Sequence, residues 1–420
     1  MVGGGFLPDS RPQIHVQTRS SAAFCLATMA LDSASQLLDG AKGASKGGLG
    51  SSNAFAHVTG LDLNKNNAVF LLQADGITSY YPTSPSTILQ PLQANCAISL
   101  GAPGSTRKLT IPQVAGGRIW FSGSGPLQFL LNPGPAVVEP SATNPSDANY
   151  NLNWGFCEFT FNSFQLFVNI SYVDFVSIPV SLTLENDAGT VTNVPGLPTN
   201  GLDLVCDRLR AQDALDNAGW SKLIVRTRDN KANLRALSPN SGIVMQPSLF
   251  EGYYAPYVNA VWDKYRSADL TINTQAEWGD VKSRVGSDNL LTFGDVGSFA
   301  QPSARDIFSC STGPFGGYPK NQAQLGAIGA RIAAAFNRSM LLTNSQQPEG
   351  EQVSNYYRDA RTNHYSRICH EVSPDGRGYA FPYDDVGGSA SGESDIGVPL
   401  YPSQACFWDP IATVAIPRRA

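Results

Sequence analysis

The stretch RKLTIPQVAGGRIWFSGSGPLQFLLNPG (107–134) decides the fold class, because it strings together three short apolar runs separated by glycine and proline. The same texture continues on both sides. AFAHVTGLDL (54–63) and NAVFLLQADG (67–76) precede it, and NLNWGFCEFTF (151–161) and SIPVSLTLENDAG (177–189) follow it. Short strands at this spacing are typical of a β-sandwich or a β-barrel.

The pattern changes near residue 200, where apolar residues recur at helical spacing. GLDLVCDRLRAQDALDNAG (201–219) and AQLGAIGARIAAAFNRSML (323–341) predict helices, and strand texture returns toward the C-terminus. The expected fold class is therefore mainly β with an α/β part. We predict a poorly ordered N-terminal segment, a β domain and a mixed α/β domain, which span 1–52, 53–195 together with 355–420, and 196–354, respectively.

Composition and charge narrow the classes of function. The 420 residues carry a net charge of −5 and a pI of about 5.4, so no basic surface for nucleic acid or for an anionic membrane is expected. No run of 18 apolar residues predicts a transmembrane helix. A neutral substrate fits this balance better than a polyanion.

Cysteine placement and the N-terminal sequence give weaker indications. The seven cysteines are dispersed without a close C-x-x-C pair, which argues against a zinc site and allows up to three disulfides or only free thiols. AAFCLATMAL (22–31) has the length of a signal-peptide core but no clean cleavage site. Export is therefore not established by the sequence.

Two carboxylates stand out in 151–175, since Glu158 and Asp174 are its only acidic residues among many aromatic ones. Strand alternation puts Trp154 on the face of Glu158 and Tyr172 on the face of Asp174. A carboxylate in such surroundings costs free energy unless it is paired, hydrogen-bonded or used. Glycoside hydrolysis uses such a pair, and an aromatic environment would raise the pKa of Glu158 and keep its proton available.

Hairpin arithmetic bears on the separation of the two acids. A simple hairpin centred near Phe164 puts Asp174 opposite Trp154, four residues from Glu158, or roughly 13 Å at ~3.3 Å per residue. Inverting glycosidases hold their acids ~6.5–9.5 Å apart and retaining ones ~5–5.5 Å. The wide offset favours inversion. The alternative, that both acids are ion-paired structural residues, stays open at this point.

Several long motifs in this chain resemble those of a known protein family. They occur in order along the chain as GRIWFS (117–122), WGFCEFT (154–160), NISYVDF (169–175), LRALSPNSGIVM (234–245) and NHYSRICHEVSPDGRGYAFPYDDV (363–386). Together they resemble glycoside hydrolase family 64, the β-1,3-glucanases that release laminaripentaose, and are most similar to its fungal branch. The resemblance implies a thaumatin-like β-barrel domain packed on a mixed α/β domain with a wide groove between them, an inverting mechanism, β-1,3-glucan as substrate, and no metal or cofactor.

Residue roles carried over by motif follow from this resemblance. Glu158 takes the place of the general acid and Asp174 that of the general base. The same motif windows place substrate-binding residues at Asp147, Thr160, Asn162, Phe167 and Ser171. Phe167 stands where bacterial relatives carry Trp, which implies a smaller aromatic platform. Trp154, from its own strand position, is a further candidate for contact with sugar.

Other interpretations remain beside this one. The segments GAKGASKGGLGSS (40–52) and 387–420 depart from the family pattern, so a non-catalytic thaumatin-like β-1,3-glucan-binding protein is the alternative. Retention of both carboxylates favours the enzyme. We expect a monomer that is extracellular or associated with a cell wall.

Other ionisable groups outside this pair are weighed separately. Cys369 and His370 are adjacent and would point to opposite faces of a strand, so they cannot form a nucleophile and base. Glu139 is interpreted as a loop-edge residue. Asp384 and Asp385 could line the groove or cap a loop.

Overall fold

A computed structural model describes residues 54–101, 106–163, 166–185, 191–319 and 322–388, together with three further strands. The strands of the first half are β1 (Gln13–Ser20), β2 (Ala23–Met29), β3 (Phe55–Asp62), β4 (Ala68–Leu72), β5 (Ser79–Tyr80), β6 (Gln90–Pro91), β7 (Ile98–Ser99), β8 (Thr106–Thr110), β9 (Val114–Ser122), β10 (Leu130–Asn132), β11 (Ala136–Val138), β12 (Trp154–Phe161), β13 (Leu166–Ile170), β14 (Phe175–Val176), β15 (Val180–Glu185) and β16 (Val191–Val194). Further along are β17 (Ile224–Arg226), β18 (Asn233–Leu237), β19 (Leu270–Asn273), β20 (Asp280–Val285), β21 (Leu291–Phe293), β22 (Gly297–Phe299), β23 (Gln346–Gln347) and β24 (Gln404–Trp408). The helices are α1 (Gly201–Asp216), α2 (Pro239–Met245), α3 (Ala255–Ser267), α4 (Ala304–Ser309), α5 (Ala323–Arg338) and α6 (His364–Val372).

The largest sheet has eight strands in the order β24-β13-β12-β9-β3-β4-β5, with β7 paired to β3. A five-stranded sheet, β16-β15-β2-β1-β8, includes the two strands that lie within the predicted N-terminal segment 1–52. The stretch 22–31 supplies β2 there. Each sheet formed by the described strands keeps two free edges, so these strands form open sheets and no closed barrel. The coarser prediction, mainly β with an α/β part, is confirmed.

Alternation along β12 and β13 separates the core from the site. On β12 the side chains of Cys157, Phe159 and Phe161 are buried, while Glu158 and Thr160 between them are half-buried. On β13 a similar apolar set, Leu166, Val168 and Ile170, faces the core. One face of this sheet is therefore apolar over both strands, and the other is free to carry polar groups.

The α/β part follows the helical periodicity of the sequence. The predicted helices at 201–219 and 323–341 are confirmed as α1 and α5. α1 ends at Asn217, whose φ of 52° is a left-handed conformation that asparagine tolerates. α5 is buried along most of its length, since small and apolar residues cover nearly all of its circumference.

Two shorter findings complete the description. Among the residues that the structure describes, none of the helices combines the length and apolar character needed to cross a bilayer. Five cysteines lie buried as free thiols: Cys96, Cys157, Cys206, Cys310 and Cys369. The side chains of Cys25 and Cys406 fall outside the described ones.

Candidate active site

A row of polar side chains crosses the largest sheet on the face opposite its apolar core residues, with Arg118 and Glu158 half-buried and the other two members buried. Thr59 on β3, Arg118 on β9, Glu158 on β12 and Asn169 on β13 pair directly with one another across four neighbouring strands. Residues directly opposite one another point to the same face of a sheet. Glu158 therefore lies between a guanidinium on one flank and an amide on the other.

Arg118 joins two carboxylates. Its Nε and Nη2 atoms donate to Oε1 of Glu158 at 3.3 and 3.2 Å, and its Nη1 atom donates to Oε2 of Glu139 at 2.5 Å. Glu139 follows β11 directly, and about a third of each of the three side chains is exposed. The cluster is thus half-buried and open to solvent, as a site for an outside ligand must be.

Buried aromatic rings support Arg118 from the next row of the same face. Its guanidinium carbon lies 5.0 Å from the ring centroid of Phe156 and 5.5 Å from that of Trp120. The indole N–H of Trp120 donates to Oγ1 of Thr59 at 3.0 Å, which fixes that ring. A cation over aromatic faces is attracted to them, so the arginine has a fixed platform.

Asp174 comes to the site from outside the sheet. β13 ends at Ile170, and the backbone N–H of Tyr172 then donates to the carbonyl of Tyr379 at 2.7 Å. The carbonyl of Asp174 accepts from the N–H of Ser238 at 2.9 Å, just before β14 pairs with β18. The predicted pairing of Asp174 with Trp154 is wrong, because the strand stops before it reaches that position.

The charges of the cluster act on one another. Burial raises the pKa of Asp174, Arg118 opposes this effect, and Glu158 adds to it. Burial likewise raises the pKa of Glu139, with Arg118 opposing and the other two carboxylates adding. Burial disfavours the charge of Arg118, but the three carboxylates together raise its pKa. Asp174 therefore belongs to the same electrostatic unit as Glu158, and its carboxylate accepts no hydrogen bond from the part of the chain that the structure describes.

Several predicted binding residues share that face of the largest sheet. Thr160 on β12 pairs directly with Phe167 on β13, and both are half-buried two residues from the Glu158–Asn169 pair. Asn162, also half-buried, follows the end of β12. Ser171 is 8% exposed and bridges to Tyr379 just past the end of β13. Thr160, Phe167 and Asn162 can reach a ligand that lies across these strands.

Two other predicted residues lie beneath or beside the site. Trp154 is 1% exposed, and its indole N–H donates to the carbonyl of Asn149 at 3.0 Å, so it packs in the core and offers no face to a sugar. The carboxylate of Asp147 accepts from the N–H groups of Asn149 at 2.7 Å and Ser141 at 3.3 Å. Asp147 thus shapes its own loop.

Sequence reasoning missed Arg118 and Glu139 as members of the site. An arginine within the apolar run GRIWFS was the available signal for the first. The interpretation of Cys369 and His370 as strand neighbours is wrong, because both lie on α6. The structural interpretation of His370 nevertheless agrees with its contact to Asp384. Its Nε2 atom lies 3.0 Å from Oδ2 of that buried carboxylate.

The ion pair of Glu158 with Arg118 also agrees with the purely structural alternative, so it does not by itself establish chemistry. Within the described ranges, no group of three or more His, Cys, Asp or Glu side chains is arranged to hold a metal ion. What distinguishes the cluster is a third carboxylate, Asp174, which enters its electrostatic field from outside the large sheet. A proton donor and an ionised partner on an open face fit a glycoside hydrolase.

Comparison with known proteins identifies the family. Residues 46–399 match the family model described as Beta-1,3-glucanase, and the chain belongs to this family, glycoside hydrolase family 64. It is 28% identical over 296 residues to a glucan endo-1,3-beta-glucosidase of Cellulosimicrobium cellulans and 29% identical over 289 residues to one of Arthrobacter sp. (strain YCWD3). Each alignment covers 67% of this chain and 50% of the relative, so the chain spans about half the length of these curated relatives.

Solved structures agree in fold. A laminaripentaose-producing β-1,3-glucanase in complex with laminaritetraose is 30% identical, with a TM-score of 0.70 over 80% of this chain and 90% of that one. A β-1,3-glucanase domain from Clostridium beijerinckii is 19% identical, with a TM-score of 0.62 over 86% and 95% of the two chains. The second likeness shows the fold alone.

Proposed function

We propose that this chain is an inverting glycoside hydrolase that cleaves β-1,3-glucan and releases oligosaccharides of laminaripentaose size. The observation that carries the proposal is the pairing of Glu158 with Arg118 on an open sheet face, with Asp174 in the same electrostatic unit. Membership of the β-1,3-glucanase family and the likeness to a glucanase solved with laminaritetraose support it.

In the proposed mechanism Glu158 donates its proton to the glycosidic oxygen as the bond from that oxygen to the anomeric carbon breaks. A water molecule attacks the anomeric carbon from the opposite face of the ring, and Asp174 takes a proton from it. The new C–O bond forms on the face opposite to the leaving group, so the configuration inverts. Asp174 suits this role because its carboxylate is not occupied by a hydrogen bond within the described part of the chain.

The groove contacts are part of the same proposal. Thr160, Asn162 and Ser171 bind sugar hydroxyls, Phe167 supplies apolar contact, and Asp147 acts through the loop that it orders. We also propose a monomer with a thaumatin-like barrel domain, the groove between the two domains at 53–195 with 355–420 and at 196–354, and an extracellular or cell-wall location. Assignment to the fungal branch rests on the motifs, since the relatives named above are bacterial.

The test is product analysis on linear β-1,3-glucan with wild type, Glu158→Gln and Asp174→Asn. Wild type should release mainly pentamer, and proton NMR at early times should show the inverted anomer. Each variant should lose a factor of about 10²–10⁴ in rate, the usual contribution of acid–base catalysis. Glu371→Gln, on the exposed side of α6, is the control and should keep full activity. If the wild-type protein binds glucan and releases no product, the hydrolase proposal is wrong and the glucan-binding alternative takes its place.

A further inference from the structure

We propose that Glu139 and Arg118 are positioning residues for Glu158, and that Glu139 balances the charge of Arg118. Arg118 then fixes the position of Glu158 without keeping its carboxyl group permanently ionised. This inference rests on the proposed function, because it concerns how Glu158 remains able to carry a proton.

Hydrogen-bond geometry gives the first argument. Arg118 bonds Glu139 through Nη1 at 2.5 Å, whereas both of its bonds to Glu158 are longer, at 3.2 and 3.3 Å. Both longer bonds end on one oxygen, Oε1. Arg118 therefore makes no hydrogen bond to Oε2 of Glu158, and that oxygen is left to carry a proton.

Confinement of the arginine gives the second argument. The guanidinium packs against the buried rings of Phe156 and Trp120, which restrict its movement. The guanidinium is thus held between the two carboxylates. Glu139, on the side of Arg118 away from Glu158, consequently determines how the charge of Arg118 is divided between the two carboxylates.

The balance of charge gives the third argument. The ionisable groups that face this cluster are Arg118 on β9, Glu139 after β11, Asp174 before β14, and the phenol of Tyr379, which senses the charge of Glu158. Three carboxylates around one guanidinium favour uptake of a proton by the group. Arg118 alone beside Glu158 would instead favour the ionised form of Glu158 and oppose proton donation.

The test is the pH dependence of kcat/KM on a soluble β-1,3-gluco-oligosaccharide. The alkaline limb of the profile is the range in which the general acid loses its proton. In Glu139→Gln this limb should move to lower pH by about one unit, which is the lower end of the effect of a neighbouring opposite charge on a pKa. In Arg118→Gln the same limb should move to higher pH. Glu139→Asp, which keeps the charge, should return the limb close to wild type, and Glu371→Gln, a glutamate with two arginine partners outside the site, should leave it unmoved.

A second measurement is independent of turnover. The carboxyl carbon of Glu158 can be titrated by ¹³C NMR in wild type and in Glu139→Gln, and its midpoint should be lower in the variant. An unmoved midpoint in a folded variant, or limbs that move in the same direction in both single variants, would overturn the inference. If the wild-type protein shows the expected midpoints but hydrolyses no glucan, the proposed function is wrong while the inference about Glu139 and Arg118 stands.

Discussion

At the scale of single residues, Arg235 shows how the site is supported from below. Its side chain is fully buried, and Nη2 donates to the carbonyls of Tyr150 at 2.7 Å and Leu152 at 2.9 Å. Its guanidinium also lies 5.7 Å from the ring of Phe175, the neighbour of Asp174 in the chain. Burial lowers the pKa of Arg235 to about 10. The residue therefore ties the loop before β12 to the segment that carries Asp174.

Replacing Arg235 by leucine should lower the free energy of unfolding by about 3 kcal/mol, because buried carbonyls lose their donors. Urea unfolding followed by tryptophan fluorescence measures the change. Arg228→Leu, at an exposed position in the β17–β18 connection, should stay within about 0.5 kcal/mol of wild type. Equal effects of the two variants would contradict the supporting role of Arg235.

Single residues also mark how far sequence could predict the site. Glu158 and Asp174 were recognisable because each interrupts a stretch that is otherwise apolar. Glu139 was not, since its partner Arg118 comes from a strand 21 residues earlier and only the fold brings them together. The burial of Trp154 likewise depends on Asn149 and on contacts to Trp120, which strand alternation does not reveal.

At the scale of elements, the pairing of β9 with β12 depends on a glycine. Gly117 is directly opposite Phe159, and a Cβ added to it would lie 2.5–2.7 Å from atoms of the Phe159 ring. Phe159 is 2% exposed, so its ring lies in the core. Only glycine lets the two strands approach closely here, one residue away from both Arg118 and Glu158.

Gly117→Ala should therefore cost about 1–3 kcal/mol of stability, as overpacking does in a close-packed core, and should reduce hydrolysis of glucan as well. Thermal unfolding and a product assay check the two effects. Gly326→Ala on α5 is the matched control, because its added Cβ meets only Tyr318 at 3.7 Å and helix propensity favours alanine by up to about 1 kcal/mol. A Gly117→Ala protein as stable as wild type would contradict the close approach.

Elements also show where local pattern stops being informative. Alternation predicted the polar and apolar faces of β12 correctly, since its partners on both sides continue the ladder. The pattern was carried too far along the next strand, past Ile170, because the chain there leaves the sheet and is held by Tyr379 and Ser238. Tyr379 and Ser238 are both distant in sequence from this segment, so no local pattern predicts that the chain leaves the sheet here.

At the scale of the whole molecule, contacts close to the site join segments that are far apart in the chain. The phenol of Tyr365 on α6 donates to the carbonyl of Tyr172 at 2.7 Å. A buried ionic group holds the segment after α6, with Arg338 of α5 bonded to the carbonyl of Asp384 at 2.7 Å and within 3.4 Å of its carboxylate. The chain from Tyr172 to Asp174 is therefore held by α6 and by Ser238, both distant from it in sequence.

Two buried neutral histidines, His57 and His364, make stability depend on pH. Burial lowers the pKa of His57 to about 3, and burial together with Arg367 lowers that of His364 to about 4, from an ordinary value of 6.5. The unfolded chain binds these protons first as pH falls. The stability that the two residues contribute is thus present above about pH 6.5 and is lost as pH falls from there toward 4.

We expect His364→Gln to weaken this dependence, because glutamine does not titrate. Urea unfolding of wild type and variant at steps from pH 7.5 to 4.5 measures the difference between them as a function of pH. The carboxylates of the site act equally in both proteins and cancel in that difference. A difference that does not change over this range would show that His364 is not held neutral by the fold.

Glu158 is carried by the eight-stranded sheet and Asp174 by the turn into the small sheet of β14, β18 and β17. The distance between these two carboxylates is consequently set by the junction of the two sheets, and neither sheet determines it alone. Substitutions at that junction, near Ser238 or Tyr365, can tune turnover while leaving both carboxylates and both sheets intact. Directed evolution toward glucans of different thickness would then select changes there, several residues away from any contact with sugar.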